Sequence, residues 1–163
     1  MPRTWVADRA TIPLEGSAAN RKPDLVLVLS NVAKSKQLDW RDINVVGEIK
    51  AQKSTKTMNQ SYTEVAGKIA LLLYAQDGRH TTPCLRVLGH SIVLTFFDRG
   101  GSLLTAPIDI HTCPEEFLHI LVGLSRAPPS RIGFDETMFW DKDGRKYVLV
   151  AWKANSERGL MLS

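Results

Sequence analysis

The chain has 163 residues, the length of one ordinary domain, and 44% of them are hydrophobic while 23% are charged. These proportions exclude a wholly disordered chain, and the formal charge of +4 permits a nucleic-acid partner without requiring one. The apolar runs are far shorter than the ~20 residues of a membrane span. Because the N-terminus also lacks a secretory core, we expect no membrane partner and an intracellular location, nuclear or cytoplasmic.

Two strands are predicted in the first fifty residues. Leu25–Leu29 is a continuous run of Leu and Val, which is too short for a helix and typical of a buried strand. Ile43–Ile49 has two valines at its centre and is the second strand. The polar segment Lys34–Asp39 between them reads as a loop.

A long helix is predicted over Ser61–Gln76. Ser61 and Glu64 have the spacing of a capping box, and apolar residues then recur at helical intervals until Gly78 provides a stop. Glu64 and Lys68 lie one turn apart, which favours an ion pair along the helix.

The second half reads as strands with one more helix. A three-stranded antiparallel meander is predicted at Leu85–Leu88, Ser91–Phe97 and Leu103–Ile110. A helix follows at Glu116–Leu124, introduced by a capping pattern at Thr112 and Glu115. A final hairpin is predicted from Glu136–Trp140 and Arg145–Trp152. The fold class is therefore α/β or α+β, with a mixed sheet flanked by helices. We expect a single domain over residues 1–153 and a tail over 154–163.

Charged residues stand where the first predicted strand opens and where the second closes, and their positions suggest a catalytic or binding site. Glu48 and Lys50 are two residues apart, so they project from the same face of a strand, while Ile49 points the other way. If the strands pair, Asp24 approaches Glu48. The alternative is that Asp24 caps a turn after Pro23 while Glu48 and Lys50 form a surface ion pair.

Two carboxylates are the oxygen ligands that Mg²⁺ or Mn²⁺ prefers, so Asp24 and Glu48 are the candidate metal ligands. A neighbouring lysine, Lys50, can position or activate an attacking water while the metal stabilises the leaving oxygen. This equipment suits the hydrolysis of phosphodiester bonds.

The set Pro23-Asp24 followed by Glu48-Ile49-Lys50 resembles the PD-(D/E)XK nuclease superfamily. The resemblance implies a restriction-endonuclease-like fold, metal-dependent cleavage of DNA by Asp24, Glu48 and Lys50, and a homodimer as an open alternative. It also implies a Gln or a basic residue on the following helix. Gln76 lies late on that helix and is the candidate, while Gln60 lies just before the helix. Gln76 equally suits a hydrogen bond at the helix end. The upstream acidic residue of that superfamily has no good counterpart here.

A longer series of motifs resembles the fungal-type protein kinase family, in the region that precedes or begins the kinase part. The motifs are Lys22-Pro23-Asp24, Trp40, Val46–Lys50, Ala75–Arg79, Phe97–Gly101, Ile108–Ile110 and Gly133–Asp135. The chain has no GxGxxG loop, no His-Arg-Asp and no Asp-Phe-Gly, so we expect it not to be a kinase by itself. The alternative to an active nuclease is a catalytically idle module that binds DNA or a protein partner, or an effector.

Basic residues flank the candidate site in sequence, apart from Arg79, which follows the end of the predicted helix. They are Lys34, Lys36, Lys53, Lys56 and Arg79, and together they are candidates for contacts to the phosphates of a nucleic acid. The alternative is that the lysines belong to two solvated loops and that Arg79 only follows a helix end, where a cation suits the helix dipole.

Overall fold

In the computed structural model, the described residues are 2–7, 12–17, 19–35, 37–140, 145–150 and 159–162. Seven strands form the main sheet: β1 (Arg3–Val6), β2 (Leu25–Leu29), β3 (Ile43–Lys50), β4 (Thr82–Leu88), β5 (Ser91–Phe97), β6 (Ser102–Leu104) and β7 (Ile108–Asp109). The helices are α1 (Thr55–Ala75) and α2 (Pro114–Arg126), and a second sheet contains β8 (Met138–Trp140), β9 (Lys146–Val150) and β10 (Gly159–Leu162).

The main sheet is mixed, as the sequence predicts, and the fold is α+β. Strand β2 pairs antiparallel with both β1 and β3, and α1 then crosses over so that β4 pairs parallel with β3. A crossover helix is what a parallel pair of consecutive strands requires. Strand β5 returns antiparallel to β4 and pairs with both β6 and β7, so the predicted third strand of the meander is divided in two.

Helix α1 begins six residues before the predicted start. Its N-cap is Ser54, whose side chain accepts from the N–H of Thr57 while Thr57 Oγ1 accepts from the N–H of Ser54. The predicted cap, Ser61, lies buried inside the helix and donates to the carbonyl of Met58. The first turns were missed because they carry polar residues that face solvent, which leaves no apolar period to recognise.

Helix α2 starts at Pro114, two residues before the predicted start, and Cys113 is its N-cap. The capping box predicted at Thr112 is therefore wrong. The final hairpin is present as the antiparallel pair β8 and β9, with its turn outside the described residues. Strand β10 pairs with β9 and lies within 154–163, the stretch expected to be a tail.

The core lies between α1 and the main sheet. The apolar face of α1 packs on β2 and β3 with residues that include Val65, Ile69 and Leu72, all at most 2% exposed. A smaller cluster on the other side of the sheet joins Leu27 and Val45 to α2. Among the described residues, no helix has the length and apolar character that crossing a bilayer demands.

Candidate functional site

The end of β3 brings three of the predicted residues to one place. Leu25 of β2 pairs with Gly47 of β3, so Asp24 arrives beside the last residues of β3. Its Oδ2 accepts a hydrogen bond of 2.8 Å from the backbone N–H of Ile49. A Cβ on Gly47 would meet the Leu25 Cβ at 2.8 Å, so glycine at this position lets the two strands approach closely.

Glu48 is buried between two ammonium groups. Its side chain is 2% exposed, and its Oε2 forms an ion pair with Nζ of Lys68, which is 7% exposed. Its other oxygen, Oε1, lies 3.1 Å from Nζ of Lys50. Each oxygen of this carboxylate therefore faces a cation, which is the condition for keeping a charged carboxylate away from water.

A second carboxylate joins this arrangement from α1. Lys50 Nζ donates to Glu64 Oε2 over 2.6 Å, and Gln60 Nε2 donates to Glu64 Oε1 over 2.8 Å. The predicted pairing of Glu64 with Lys68 is not the one formed, because each reaches across to β3 instead of along the helix. We call Glu48, Lys50, Glu64 and Lys68 the Glu48 cluster.

The two carboxyls of the Glu48 cluster have opposite pKa shifts. Burial raises the pKa of Glu48, with a contribution from the adjacent Glu64, and this outweighs the lowering by Lys68 and Lys50. The hydrogen bond with Glu48 lowers the pKa of Glu64 to about 2, and Lys50 contributes in the same direction. The difference follows from exposure, since Glu64 is 32% exposed and keeps contact with water.

Two residues of β4 lie beneath the Glu48 cluster. Arg86 is directly opposite Glu48 in the parallel register, is 2% exposed, and donates from Nη1 to the Met58 carbonyl at 3.2 Å. Its Nε has no hydrogen-bond partner within the described part of the chain. Burial raises the pKa of the nearby Cys84 thiol, so this cysteine remains protonated and unreactive.

The oxygen atoms of this site do not meet the needs of Mg²⁺. Carboxylate oxygens are suitable ligands, but both oxygens of Glu48 already face ammonium groups, and one oxygen of Asp24 accepts from Ile49. Across the described ranges, no group of three or more His, Cys, Asp or Glu side chains is placed to hold a metal ion. In this arrangement the ammonium of Lys68 neutralises Glu48, and the residues present do not fit a divalent metal.

Gln76 and Arg79 lie at the opposite end of β3, which corrects their predicted placement beside the site. Gln76 is roughly 18 Å along α1 from Glu64, at 1.5 Å per residue. Its Nε2 donates to the carbonyls of Trp40 and Ile43, both over 2.8 Å. Gln76 is thus a hydrogen-bond donor at the helix end, the second of the two interpretations that the sequence allowed.

Arg79 is fully buried, and its guanidinium is used inside the protein. Nη2 donates to the Ile132 carbonyl at 2.7 Å, Nε donates to the Thr81 carbonyl at 3.0 Å, and Nη1 donates to Gln76 Oε1 at 3.0 Å. Burial lowers its pKa to about 9. We call Gln76 and Arg79 the Arg79 cluster, and its buried donors are not available to a phosphate on the surface.

The predicted basic residues divide between the two ends of β3. Lys53 and Lys56 are exposed and lie between Lys50 and the end of the first turn of α1. Lys53 also donates from Nζ to Ser91 Oγ at 3.2 Å. Lys34 is exposed but follows the end of β2 that pairs with the start of β3. The start of β3 is roughly 23 Å from Lys50, at about 3.3 Å per residue along the strand. Lys36 lies outside the described residues.

Sequence reasoning did not include Glu64, Lys68 and Arg86 in the site. Glu64 and Lys68 are four residues apart on one helix face, which signals proximity but not that both turn toward β3. Arg86 stands alone in an apolar strand, and an arginine in a buried strand needs polar partners. That pattern was the available signal for a polar cluster between α1 and β4.

Comparison with known proteins gives one match. No curated protein and no solved structure matches the chain. The sequence model described as fungal protein kinase matches residues 22–163, which is most of the chain. It begins immediately before Asp24 and spans both the Glu48 cluster and the Arg79 cluster. On this match, the chain belongs to the fungal protein kinase family.

Proposed function

We propose that this chain is a nuclease-like module of the PD-(D/E)XK type that binds the phosphodiester backbone of DNA without cutting it. The single observation that carries the proposal is that both oxygens of Glu48 face ammonium groups, those of Lys68 and Lys50. A carboxylate neutralised in this way has lost the charge that would attract a divalent metal.

The nuclease-like part of the proposal is supported by topology and by Asp24. An antiparallel pair, a crossover helix and a parallel fourth strand place Asp24 and the Glu48-Ile49-Lys50 segment at one end of the sheet. If the chain resembles PD-(D/E)XK proteins, we expect the acidic and basic residues of the site to lie together at this end of the sheet.

The DNA-binding part is supported by the charges near the start of α1. Lys53 and Lys56 are exposed there, and the first turn of the helix contains no acidic residue. The partial positive charge of a helix N-terminus adds to that of the lysines. Phosphate contacts of this kind give affinity without sequence preference.

Membership in the kinase family does not by itself give this chain phosphotransferase activity. The Lys50–Glu64 ion pair joins a strand lysine to a helix glutamate, as in protein kinases. However, the 163 residues contain no GxGxxG, His-Arg-Asp or Asp-Phe-Gly motif, so the groups that hold ATP phosphates and magnesium are missing from them.

The test is fluorescence anisotropy with a labelled DNA duplex at several salt concentrations. The variant Lys53→Gln/Lys56→Gln should bind more weakly, and the slope of log affinity against log salt should fall by about 1 per lysine. Lys34→Gln is the matched control, since it removes an exposed lysine at the other end of β3, and its affinity should stay close to that of the unmodified protein.

Two results would overturn DNA binding at this end of the sheet. One is unchanged affinity and salt slope in the double variant, and the other is an equal loss in Lys34→Gln. Circular dichroism of each variant checks that the fold is intact, because all three lysines are exposed and their replacement should not affect packing.

Metal-dependent hydrolysis of DNA is the second candidate. It is favoured by the pairing of Leu25 with Gly47, which brings a second carboxylate, that of Asp24, to the Glu48–Lys50 segment. A plasmid-nicking assay with Mg²⁺ or Mn²⁺ decides between the candidates. Nicking that is lost in both Asp24→Ala and Lys50→Ala would establish hydrolysis and reject the idle module, whereas intact supercoiled plasmid supports the idle module.

A further inference from the structure

Two histidines meet on the side of the main sheet formed by β5 and β7. His90 lies in the turn between β4 and β5, and His111 follows β7. The Nδ1 of His90 and the Nε2 of His111 are 2.9 Å apart, and the ring centroids are 4.7 Å apart with an interplanar angle of 55°. Both side chains are exposed.

The backbone holds these two histidines in fixed positions. The N–H of Ile110 donates to the carbonyl of His90 at 2.9 Å, and Ser91 pairs with Asp109 between β5 and β7. The Oδ1 of Asp109 accepts from the backbone N–H of His111 at 2.9 Å, which secures the turn after β7. The nitrogen pair is therefore built on paired strands and not on two independent loops.

The separation of the two nitrogens matches a chelate. Two ligands bound at about 2.05 Å and lying 2.9 Å apart subtend about 90° at the metal. That angle suits the tetragonal geometry of Cu²⁺ or Ni²⁺ better than the wider angle of tetrahedral Zn²⁺. Imidazole is a preferred ligand of these ions, and Cu²⁺ binds most tightly among the divalent first-row metals.

We propose that His90 and His111 form a binding site for a divalent late transition metal, with Cu²⁺ preferred. In the metal-free protein one ring donates an N–H to the other. Binding requires both lone pairs, so the donating ring loses that proton to solvent and takes one up on its other nitrogen, and both rings remain neutral.

The surroundings of the pair leave coordination positions open. Across the described residues no third His, Cys, Asp or Glu completes a metal-binding group, so water or an external ligand would fill the remaining positions. The Oδ1 of the neighbouring Asp109 accepts from the backbone N–H groups of His111 and Thr112, and these hydrogen bonds lower the pKa of Asp109. The adjacent cavity of about 560 Å³, lined in part by His90, Asp109 and Lys53, gives such a ligand room.

The test is a titration of the untagged, metal-free chain with Cu²⁺, followed by calorimetry and by electron paramagnetic resonance. We expect one Cu²⁺ per chain with a tetragonal spectrum and nitrogen hyperfine structure. His90→Gln and His111→Gln should each weaken binding about tenfold or more, which is at least about 1.4 kcal/mol. Parallel titrations with Ni²⁺ and Zn²⁺ should give weaker binding.

The two other histidines provide matched controls. His119 is exposed on α2, and His80 Nε2 lies 3.0 Å from Asp135 Oδ2, so neither contributes to the pair. His119→Gln and His80→Gln should bind Cu²⁺ like the unmodified chain. The proposal is overturned if these variants lose as much affinity as His90→Gln, or if the double variant His90→Gln/His111→Gln still binds with the original spectrum. None of these outcomes depends on whether the chain binds DNA.

Discussion

A charged side chain is buried at each end of β3, but the two charges are stabilised differently. In the Glu48 cluster, the buried carboxylate of Glu48 is matched by the ammonium groups of Lys68 and Lys50. In the Arg79 cluster, the buried guanidinium of Arg79 contacts neutral carbonyl oxygens, together with the side-chain oxygen of Gln76 and the ring of Phe134.

This difference separates a structural centre from a candidate site. The Arg79 cluster links the end of α1, the start of β3 and the segment around Ile132, so it joins parts of the chain that are distant in sequence. The Glu48 cluster contains ion pairs at an edge where Lys50 and Glu64 are still partly exposed. Polar groups that reach solvent can exchange partners, whereas those of the Arg79 cluster cannot do so without unfolding.

Removing the guanidinium of Arg79 should have the largest effect. Arg79→Met leaves the buried carbonyls of Ile132 and Asn44 and the partly buried carbonyl of Thr81 without this donor, at about 1–3 kcal/mol each. The expected sum of about 5 kcal/mol is comparable to the whole stability of a domain. Urea unfolding followed by circular dichroism should show no cooperative transition.

The control for Arg79→Met is Arg126→Met, which removes an exposed arginine in the last turn of α2. Its free energy of unfolding should change little, by about 0.5 kcal/mol or less. A folded Arg79→Met protein with an unchanged midpoint would contradict the structural role given to the Arg79 cluster.

Breaking the buried ion pair should have the next largest effect. Lys68→Met leaves Glu48 buried with only Lys50 as a counter-ion, and removal of one partner of such a pair costs about 3–5 kcal/mol. In Glu48→Met/Lys68→Met no charge is left unpaired between these two positions, so the double variant should be more stable than Lys68→Met. Urea unfolding measures both, and additive losses would mean that the pair is not coupled.

The smallest expected effect is on the pH dependence of stability, and it comes from Glu64. Because its folded-state pKa of about 2 lies below the ordinary 4.5, this carboxylate stabilises the fold above pH 4.5, and the contribution is lost as the pH falls toward 2. The raised pKa of Glu48 acts in the opposite sense and offsets part of the loss. Glu64→Gln should therefore show a weaker decline in stability between pH 5 and pH 3, about the range in which the ordinary carboxyl titrates.

Glu136→Gln is the control in this pH series, since Glu136 is exposed in the turn before β8. Its stability should follow that of the unmodified protein at each pH. An identical pH dependence in Glu64→Gln would show that Glu64 is not held by Lys50 and Glu48 in solution.

The sequence predicted the strands of this fold better than its polar contacts. The predicted strand Leu25–Leu29 has the same first and last residues as β2. A continuous run of five Val and Leu residues is too short for a helix and favours a buried strand. The start of α1 was missed because Thr55–Gln60 is polar apart from Met58, so it shows no apolar period. The spacing of apolar residues predicts which residues face the core, but it gives no prediction for the part of an element that faces solvent.

The candidate site was only partly predictable for a related reason. The spacing of Glu48 and Lys50 on one strand fixes their shared face, and it was read correctly from the sequence. The direction in which Lys68 reaches depends on how α1 lies over the sheet, which is a property of packing. The same packing buries Arg79, although its position after a helix end suggested exposure to solvent.

The most direct test of the account is calorimetric titration of the unmodified chain with Mg²⁺, an ion that prefers oxygen ligands and is therefore not expected to bind at His90 and His111. If ammonium groups neutralise Glu48, the unmodified chain shows no Mg²⁺ binding at this site. One equivalent of bound Mg²⁺ in the unmodified chain, lost in both Asp24→Asn and Glu48→Gln, would contradict that claim and restore a metal-dependent nuclease.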